Sequence, residues 1–281
     1  MNILITGSNG FVGTHLCNHF TQTHKVIRFD LPQYDITDSE DVLGMLDPGV
    51  DAVIHLAAQV RIDRAIEKPY DTLTTNVEGT INVLEACRLN DVPKLLFASS
   101  SDIYGTARRS YIDEWHPLLS ENPYGASKIA GEALCRAYGK TYGIDVGILR
   151  CFNIYGPGQS GGVIPLFVKK AMKGEPLTIH GAGRQCRDYV YVDDIVNAYD
   201  IMLQKSGWDA VNFGTGIKTS VRDLAETILC VTGSLSPLVF TGVEERSTYD
   251  LIADYQRARQ VGWNPKVTLK EGIQNVMESL K

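Results

Sequence analysis

The segment Ile3-Leu4-Ile5-Thr6-Gly7-Ser8-Asn9-Gly10-Phe11-Val12-Gly13 constrains the fold more than any other stretch. An apolar run suited to a buried strand leads directly into three glycines at three-residue spacing, and an amphipathic stretch follows. The glycines permit a tight turn, close approach of backbone to a pyrophosphate, and close packing of helix on strand, while the helix N-terminus attracts negative charge. Such a turn can serve folding alone; its place at the first strand–helix junction is what points to a dinucleotide. Gly7, Asn9, Gly10, Phe11, Val12 and Gly13 are the candidate cradle. Asp30 closes the next strand, 17 residues after Gly13. A carboxylate there accepts hydrogen bonds from an adenosine ribose and repels a 2′-phosphate, so NAD is expected over NADP. The plainer alternative for Asp30 is a solvated strand end.

Short β-branched runs alternate with amphipathic stretches through the first half. Strands are expected over 3–6, 26–29, 52–56, 95–99 and 146–149, and helices over 11–20, 39–46, 75–89 and 125–142. Apolar strands each followed by a helix imply an α/β fold, a Rossmann-type doubly wound parallel sheet. Ligands bind such a sheet at the carboxyl ends of its strands. From about Asn153 glycine and proline break the rhythm. Pro165 opens a helix to about 173, strands follow near 177–180 and 189–192, and Asp193-Asp194 can cap a helix to Gln204. Ser220 caps another ending near Gly233, and 269–280 forms the last. The expected division is a NAD-binding domain over 1–152 and a smaller α/β substrate lobe over 153–281, with some segments returning to the first.

Composition narrows the class. There are 27 Lys and Arg against 33 Asp and Glu, a formal charge of −6, which argues against nucleic acid or an anionic membrane as partner. Apolar runs such as 52–58 and 163–168 are far short of the roughly 20 residues of a spanning helix. Cys17, Cys87, Cys135, Cys151, Cys186 and Cys230 are scattered, with no Cys-x-x-Cys and no metal-ligand spacing around the histidines. They read as reduced core thiols, so a cytoplasmic protein without a metal is expected.

Tyr124-Gly125-Ala126-Ser127-Lys128 puts a phenol and an ammonium one helical turn apart. Free tyrosine titrates near 10, and bringing it toward neutrality takes about 4 kcal/mol from nearby positive charge. Ser99-Ser100-Ser101 ends a strand at the ligand-binding edge. Either motif alone is common, as a surface pair or a polar loop start. Their succession after the glycine loop is what gives them weight.

Together these motifs resemble the extended short-chain dehydrogenase/reductases, the NAD-dependent nucleotide-sugar epimerase/dehydratase family. The likeness extends through Asp35-Ile36-Thr37-Asp38, His55-Leu56-Ala57-Ala58, Thr75-Asn76-Val77-Glu78-Gly79-Thr80, Arg150–Gly158, Arg187-Asp188, Val192-Asp193-Asp194 and Gly262-Trp263-Asn264-Pro265. It implies that Tyr124 is the general base for a sugar hydroxyl, usually at C4. Lys128 would hold the nicotinamide ribose and lower the tyrosine pKa, and Ser100 would share the reacting oxygen. Asp38 would reach the adenine edge, and Leu56, Ala57, Ala58, Asn76 and Ser99 would complete the cofactor site. Asn153 and Arg187, with Arg246 less securely, would bind the pyrophosphate of a nucleoside-diphosphate sugar; guanidinium forks suit phosphate oxygens. The family also implies a homodimer through helices 75–89 and 125–142.

The resemblance leaves the reaction open. Epimerisation at C4 ranks first, because it needs no acid or base beyond Tyr124. Reduction of a 4-keto-6-deoxy sugar nucleotide by NADH or NADPH ranks second, supported by the short 30–38 segment and by Asp102, which stands where many epimerases carry a small neutral residue. Asp102 can equally be a cap at the strand end. Dehydration ranks third, since Ser101-Asp102 lacks one of the two carboxylates it requires. A catalytically idle NAD-binding regulator is the remaining alternative, disfavoured by the presence of Tyr124, Lys128 and Ser100 together.

Overall fold

The structure, a computed structural model, describes residues 1–46, 49–242 and 250–281. The first half contains β1 (Asn2–Thr6), α1 (Phe11–Phe20), β2 (Lys25–Phe29), α2 (Ser39–Met45), β3 (Ala52–His55), α3 (Ile62–Glu67), α4 (Pro69–Leu73), α5 (Gly79–Leu89), β4 (Lys94–Ser100), α6 (Pro123–Tyr142) and β5 (Asp145–Cys151). The second half adds β6 (Asn153–Tyr155), α7 (Val163–Met172), β7 (Leu177–His180), β8 (Cys186–Arg187), β9 (Tyr189–Tyr191), α8 (Val192–Gln204), β10 (Ala210–Phe213), β11 (Thr219–Ser220), α9 (Val221–Thr232), β12 (Leu238–Thr241), α10 (Gln256–Val261) and α11 (Leu269–Ser279).

Six parallel strands form the central sheet in the order β10-β5-β4-β3-β1-β2. The alternation of side chains along each strand feeds two apolar layers. Ile3, Ile5, Ala52, Ile54, Leu96 and Leu149 face α1 and α8, while Leu4, Val53, Leu95, Phe97 and Ile148 face α2, α5 and α6. Both faces are therefore dry, as parallel sheets with helical crossovers require. The order reverses between β1 and β3, and the crevice above that switch point is where such sheets bind ligands. The outermost strand β10 comes from the second half of the chain, and the first half ends the other edge on β2.

The second lobe packs α7, α9 and α11 around Phe167, Leu224, Ile228 and Ile273. Short strand pairs β7–β12 and β6–β9 are parallel, and β8–β11 is antiparallel. Asp194 does not cap α8. Its carboxylate accepts the Lys266 and Val267 amides at 3.0 and 3.1 Å, and its carbonyl accepts the Trp263 indole N–H at 2.7 Å. Side-chain capping by Asp193-Asp194 is thus replaced by a tie between α8 and the Gly262–Pro265 turn. Ser220 does cap α9, accepting the Asp223 amide. The helix expected over 75–89 is α-helical only as α5, Gly79–Leu89; its first turn, Thr74–Glu78, is π-helical, and the segment before it folds as α3 and α4. Both are too short for their apolar pattern to register in sequence. Among the described residues no helix is long and apolar enough to cross a membrane.

Candidate active site

A cavity of about 1050 Å³ lies over the carboxyl ends of β1 to β5. Gly7, Gly10, Phe11, Val12 and Gly13 form one wall. Gly7 has φ +70°, and a Cβ on it would stand 2.8 Å from the Ala57 amide nitrogen; one on Gly13 would stand 2.1 Å from the Gly7 carbonyl oxygen. No side chain fits either place, which leaves backbone exposed to a phosphate and lets α1 sit close on β1. Leu56, Ala57 and Ala58 line the cavity beside Gly7. Their strand end is held by Thr6, whose hydroxyl accepts the Leu56 and Ala57 amides and meets His55 Nδ1 at 2.8 Å. Burial drives the His55 pKa down to about 3, so this imidazole is a neutral structural group.

Asp30 stands at the mouth, its two carboxylate oxygens accepting the Asn9 and Leu31 amides at 2.7 and 2.8 Å. Those bonds fix the carboxylate with lone pairs left for hydroxyl donors. The loop cradle and the oriented carboxylate thus fit a dinucleotide with an unphosphorylated adenosine ribose.

At the inner end, α6 presents Tyr124 and Lys128, both buried, toward β4 and the short helical turn Ser101–Tyr104. Asn122 caps α6 by accepting the Gly125 amide, and Pro123 suits its first turn. Ser100 donates to Asp102 Oδ2 at 3.0 Å and accepts the Asp102 amide. Burial raises the Tyr124 pKa; the Asp102 charge adds to this and a hydrogen bond with Ser100 opposes it. Burial also raises that of Asp102, against Ser100 and the Arg187 charge. The Lys128 ammonium donates to the Ala98 carbonyl at 2.8 Å and sits over the Phe97 ring, and burial pulls its pKa down to about 8. The ammonium is turned to β4, so the protein by itself keeps the phenol neutral rather than lowering its pKa.

A second cavity of about 470 Å³ opens in the second lobe, lined by Gln159, Phe167, His180, Gln185 and Arg187. Asn153 and Ile154 line both cavities.

The NAD dependent epimerase/dehydratase family matches residues 3–214. The chain belongs to this family. A UDP-glucose 4-epimerase of Mycolicibacterium smegmatis is 32% identical over 307 residues, covering 99% of this chain and 98% of that protein. The fold superposes on a UDP-glucose 4-epimerase of Thermotoga maritima with UDP-glucose at a TM-score of 0.95, 29% identity and coverage of 100% of this chain and 98% of the other. A UDP-glucose 4-epimerase of Thermus thermophilus in complex with NAD gives a TM-score of 0.92 at 29% identity, covering 99% and 98%.

Several residues that the family likeness assigned to the site make hydrogen bonds within the protein. Asp38 is the N-cap of α2, accepting the Glu40 and Asp41 amides, and the neighbouring Asp35, Ile36 and Thr37 line the cavity. Asn9 points its amide to the Leu31 carbonyl, fastening the glycine loop to β2. Asn76 is buried and holds the Gln59 backbone through both its amide atoms, while also donating to Ser127 at 2.8 Å. Ser99 lines the cavity, but its hydroxyl donates to Glu132 at 2.6 Å. Asn153 donates its side-chain amide to the Asp188 carbonyl. Arg187 reaches the second cavity while donating to the Cys186 carbonyl. Arg246 lies outside the described residues. Glu132 and Arg150, a buried ion pair under the site, escaped the sequence reading as a pair, although a glutamate one turn beyond Lys128 on the buried face was the available sign.

Proposed function

We propose that this chain is an NAD-dependent epimerase acting at C4 of a nucleoside-diphosphate hexose through a transient 4-keto sugar. The observation that carries this reading is one cavity lined by the glycine loop, Asp30 and the buried Tyr124 and Ser100, which shares Asn153 and Ile154 with a second cavity lined by Arg187. In this reading Gly7, Gly10 and Gly13 receive the cofactor pyrophosphate, Asp30 the adenosine ribose and Lys128 the other ribose. Arg187 and Asn153 hold the sugar-nucleotide diphosphate, and Arg246 is a further proposed contact. NAD when bound supplies a hydride acceptor and a positive nicotinamide ring. Tyr124 takes the C4 hydroxyl proton and returns it to the same oxygen after the ketone has turned over, and Ser100 hydrogen-bonds that oxygen throughout. Burial of the phenol holds its proton until positive charge is beside it, which couples base strength to cofactor binding.

Purified protein with UDP-glucose or UDP-galactose and a trace of NAD, followed by proton NMR, tests the proposal. The expected result is formation of the C4 epimer with no net consumption of cofactor. Reduction of a 4-keto-6-deoxy sugar nucleotide is the second reading. It is favoured by the short 30–38 connection, which leaves β2 at the sheet edge, and by the Asp102 carboxylate beside Ser100. Stoichiometric oxidation of NADH or NADPH by such a ketose, with no epimerisation of either UDP-sugar, would select it. A homodimer through α5 and α6 is part of the proposal, supported by the exposed Ile81, Leu89 and Tyr142 on those helices, and light scattering reads it directly.

A further inference from the structure

Beneath the proposed acid–base site lies an ion pair that the proton chemistry does not use. Glu132 on α6 has no exposed surface; it receives Arg150 Nε and Nη2 at 2.9 and 2.7 Å, the Ser99 hydroxyl at 2.6 Å and, from the protein's rim, Arg136 Nη2 at 3.0 Å, whose Nε pairs with Asp209. Arg150 on β5 also donates through Nη1 to the Tyr104 hydroxyl at 2.9 Å and to the Glu114 carbonyl at 3.1 Å. The Tyr104 hydroxyl donates in turn to Asn212 Oδ1 on β10 at 2.6 Å. One buried carboxylate therefore ties together the helix that carries Tyr124 and Lys128, the residue next to Ser100, and the far end of the turn that carries Asp102.

The helix is pinned to the end of β4 at two successive points, Lys128 Nζ on the Ala98 carbonyl and Ser99 Oγ on Glu132. Between them Gly131 lets α6 approach so closely that a Cβ there would stand 2.5 Å from the Phe97 ring. We infer that Glu132 and Arg150 are positioning residues, which set the register of α6 against β4 and so hold Tyr124, Lys128 and Ser100 in one reacting geometry. A pair buried this deeply is poor value as a stabilising device, because desolvation offsets its attraction, so fixing a single arrangement is the better account of it. The inference rests on Tyr124, Ser100 and Lys128 carrying the proton chemistry proposed above.

Charge gives the pair a signature that packing lacks. The ionisable groups acting on the Lys128 ammonium are Glu132 and Cys135 on α6 and Cys151 on β5, and His55 on β3 in turn feels the Lys128 charge. Burial keeps the two thiols protonated and His55 neutral, so Glu132 is the ionised member of this set at neutral pH. Neutralising it leaves Lys128 with less support and leaves the Arg150 charge unpaired nearby.

The test compares Glu132→Gln, Glu132→Asp and the double variant Glu132→Met with Arg150→Met. Steady-state kinetics are measured from pH 6 to 9, and the Lys128 side chain is titrated by carbon NMR in lysine-labelled protein, assigned with Lys128→Arg. Glu132→Gln is expected to lose about 100-fold in kcat with KM within about twofold, the scale of a misplaced reacting group. Its Lys128 midpoint is expected to fall below that of the wild type, and Glu132→Asp to recover part of both. The double variant is expected to fold without the uncompensated charge yet to stay slow, which separates positioning from stability if the single variant unfolds. Wild-type turnover in the double variant, or Glu132→Gln with unchanged kcat and Lys128 midpoint, would overturn the inference. If the wild type epimerises neither UDP-sugar, the functional reading fails, and the Lys128 titration still decides this one.

Discussion

The two walls of the main cavity are built by different means. The glycine-loop side is backbone: Gly7, Gly10 and Gly13 create the cradle by the side chains they lack, and Asp30 is oriented by two amides. The inner end is side chain: the buried Tyr124, Lys128 and Ser100 and the half-buried Asp102 are held among groups from α6, β4, β5 and β10. A backbone cradle is compatible with stability, because close packing and an unstrained turn serve folding too. The inner end stores cost, since a buried ammonium and carboxylates are kept away from water in the positions chemistry needs.

Four substitutions sharpen or break that contrast. Tyr124→Phe removes the proposed base and should reduce turnover by about 1000-fold or more, with the unfolding free energy changed by less than about 1 kcal/mol. Stopped assays and urea unfolding on the same preparation check both halves. Gly13→Ala attacks the cradle, where its Cβ meets the Gly7 carbonyl at 2.1 Å. A loss of about 3 kcal/mol in stability is expected, together with NAD binding too weak for calorimetry. An alanine variant with normal stability would show that α1 can retreat and that the contrast is wrong.

Lys128→Met should do the reverse, losing turnover while gaining stability. The depression of the Lys128 pKa from 10.5 to about 8 corresponds to about 3 kcal/mol against the charged form at pH 7. Between about 8 and 10.5 the unfolded chain holds a proton that the folded chain has released, so this unfavourable term disappears as pH rises through that window. The stability gain of the methionine variant over wild type should therefore be largest at pH 7 and shrink toward pH 10. Wild-type turnover should fall above about pH 8, as the ammonium is lost. A gain that does not change with pH would place the effect in packing instead. The smallest change expected is that of Asp38→Ala: loss of the α2 cap should cost about 1 kcal/mol and leave NAD affinity within about twofold. A tenfold loss of affinity would return Asp38 to the cofactor site.

The same contrast explains what could be read from the amino-acid sequence. The cradle is contiguous, and its physics is local sterics, so Gly7–Gly13 with Asp30 could be placed from spacing alone, as could β1 to β5 to within a residue or two. Tyr124, Lys128 and Ser100 were legible because each motif has a fixed place on a strand end or helix. Their support was not: Glu132, Arg150, Tyr104 and Asn212 are far apart in sequence and meet only after the sheet closes with β10. Asp38, Asn76 and Asp194 carried the family pattern, but that pattern records that a residue matters, without saying whether it touches ligand or ties backbone. In this structure all three tie backbone.

The most direct measurement uses UDP-glucose carrying deuterium at C4, incubated with the protein and bound NAD in the presence of excess unlabelled NADH. The account predicts UDP-galactose with the deuterium retained at C4, because the hydride leaves and returns within one closed site beside Tyr124. Product lacking deuterium, or no product while a 4-keto sugar nucleotide consumes the NADH, would contradict it.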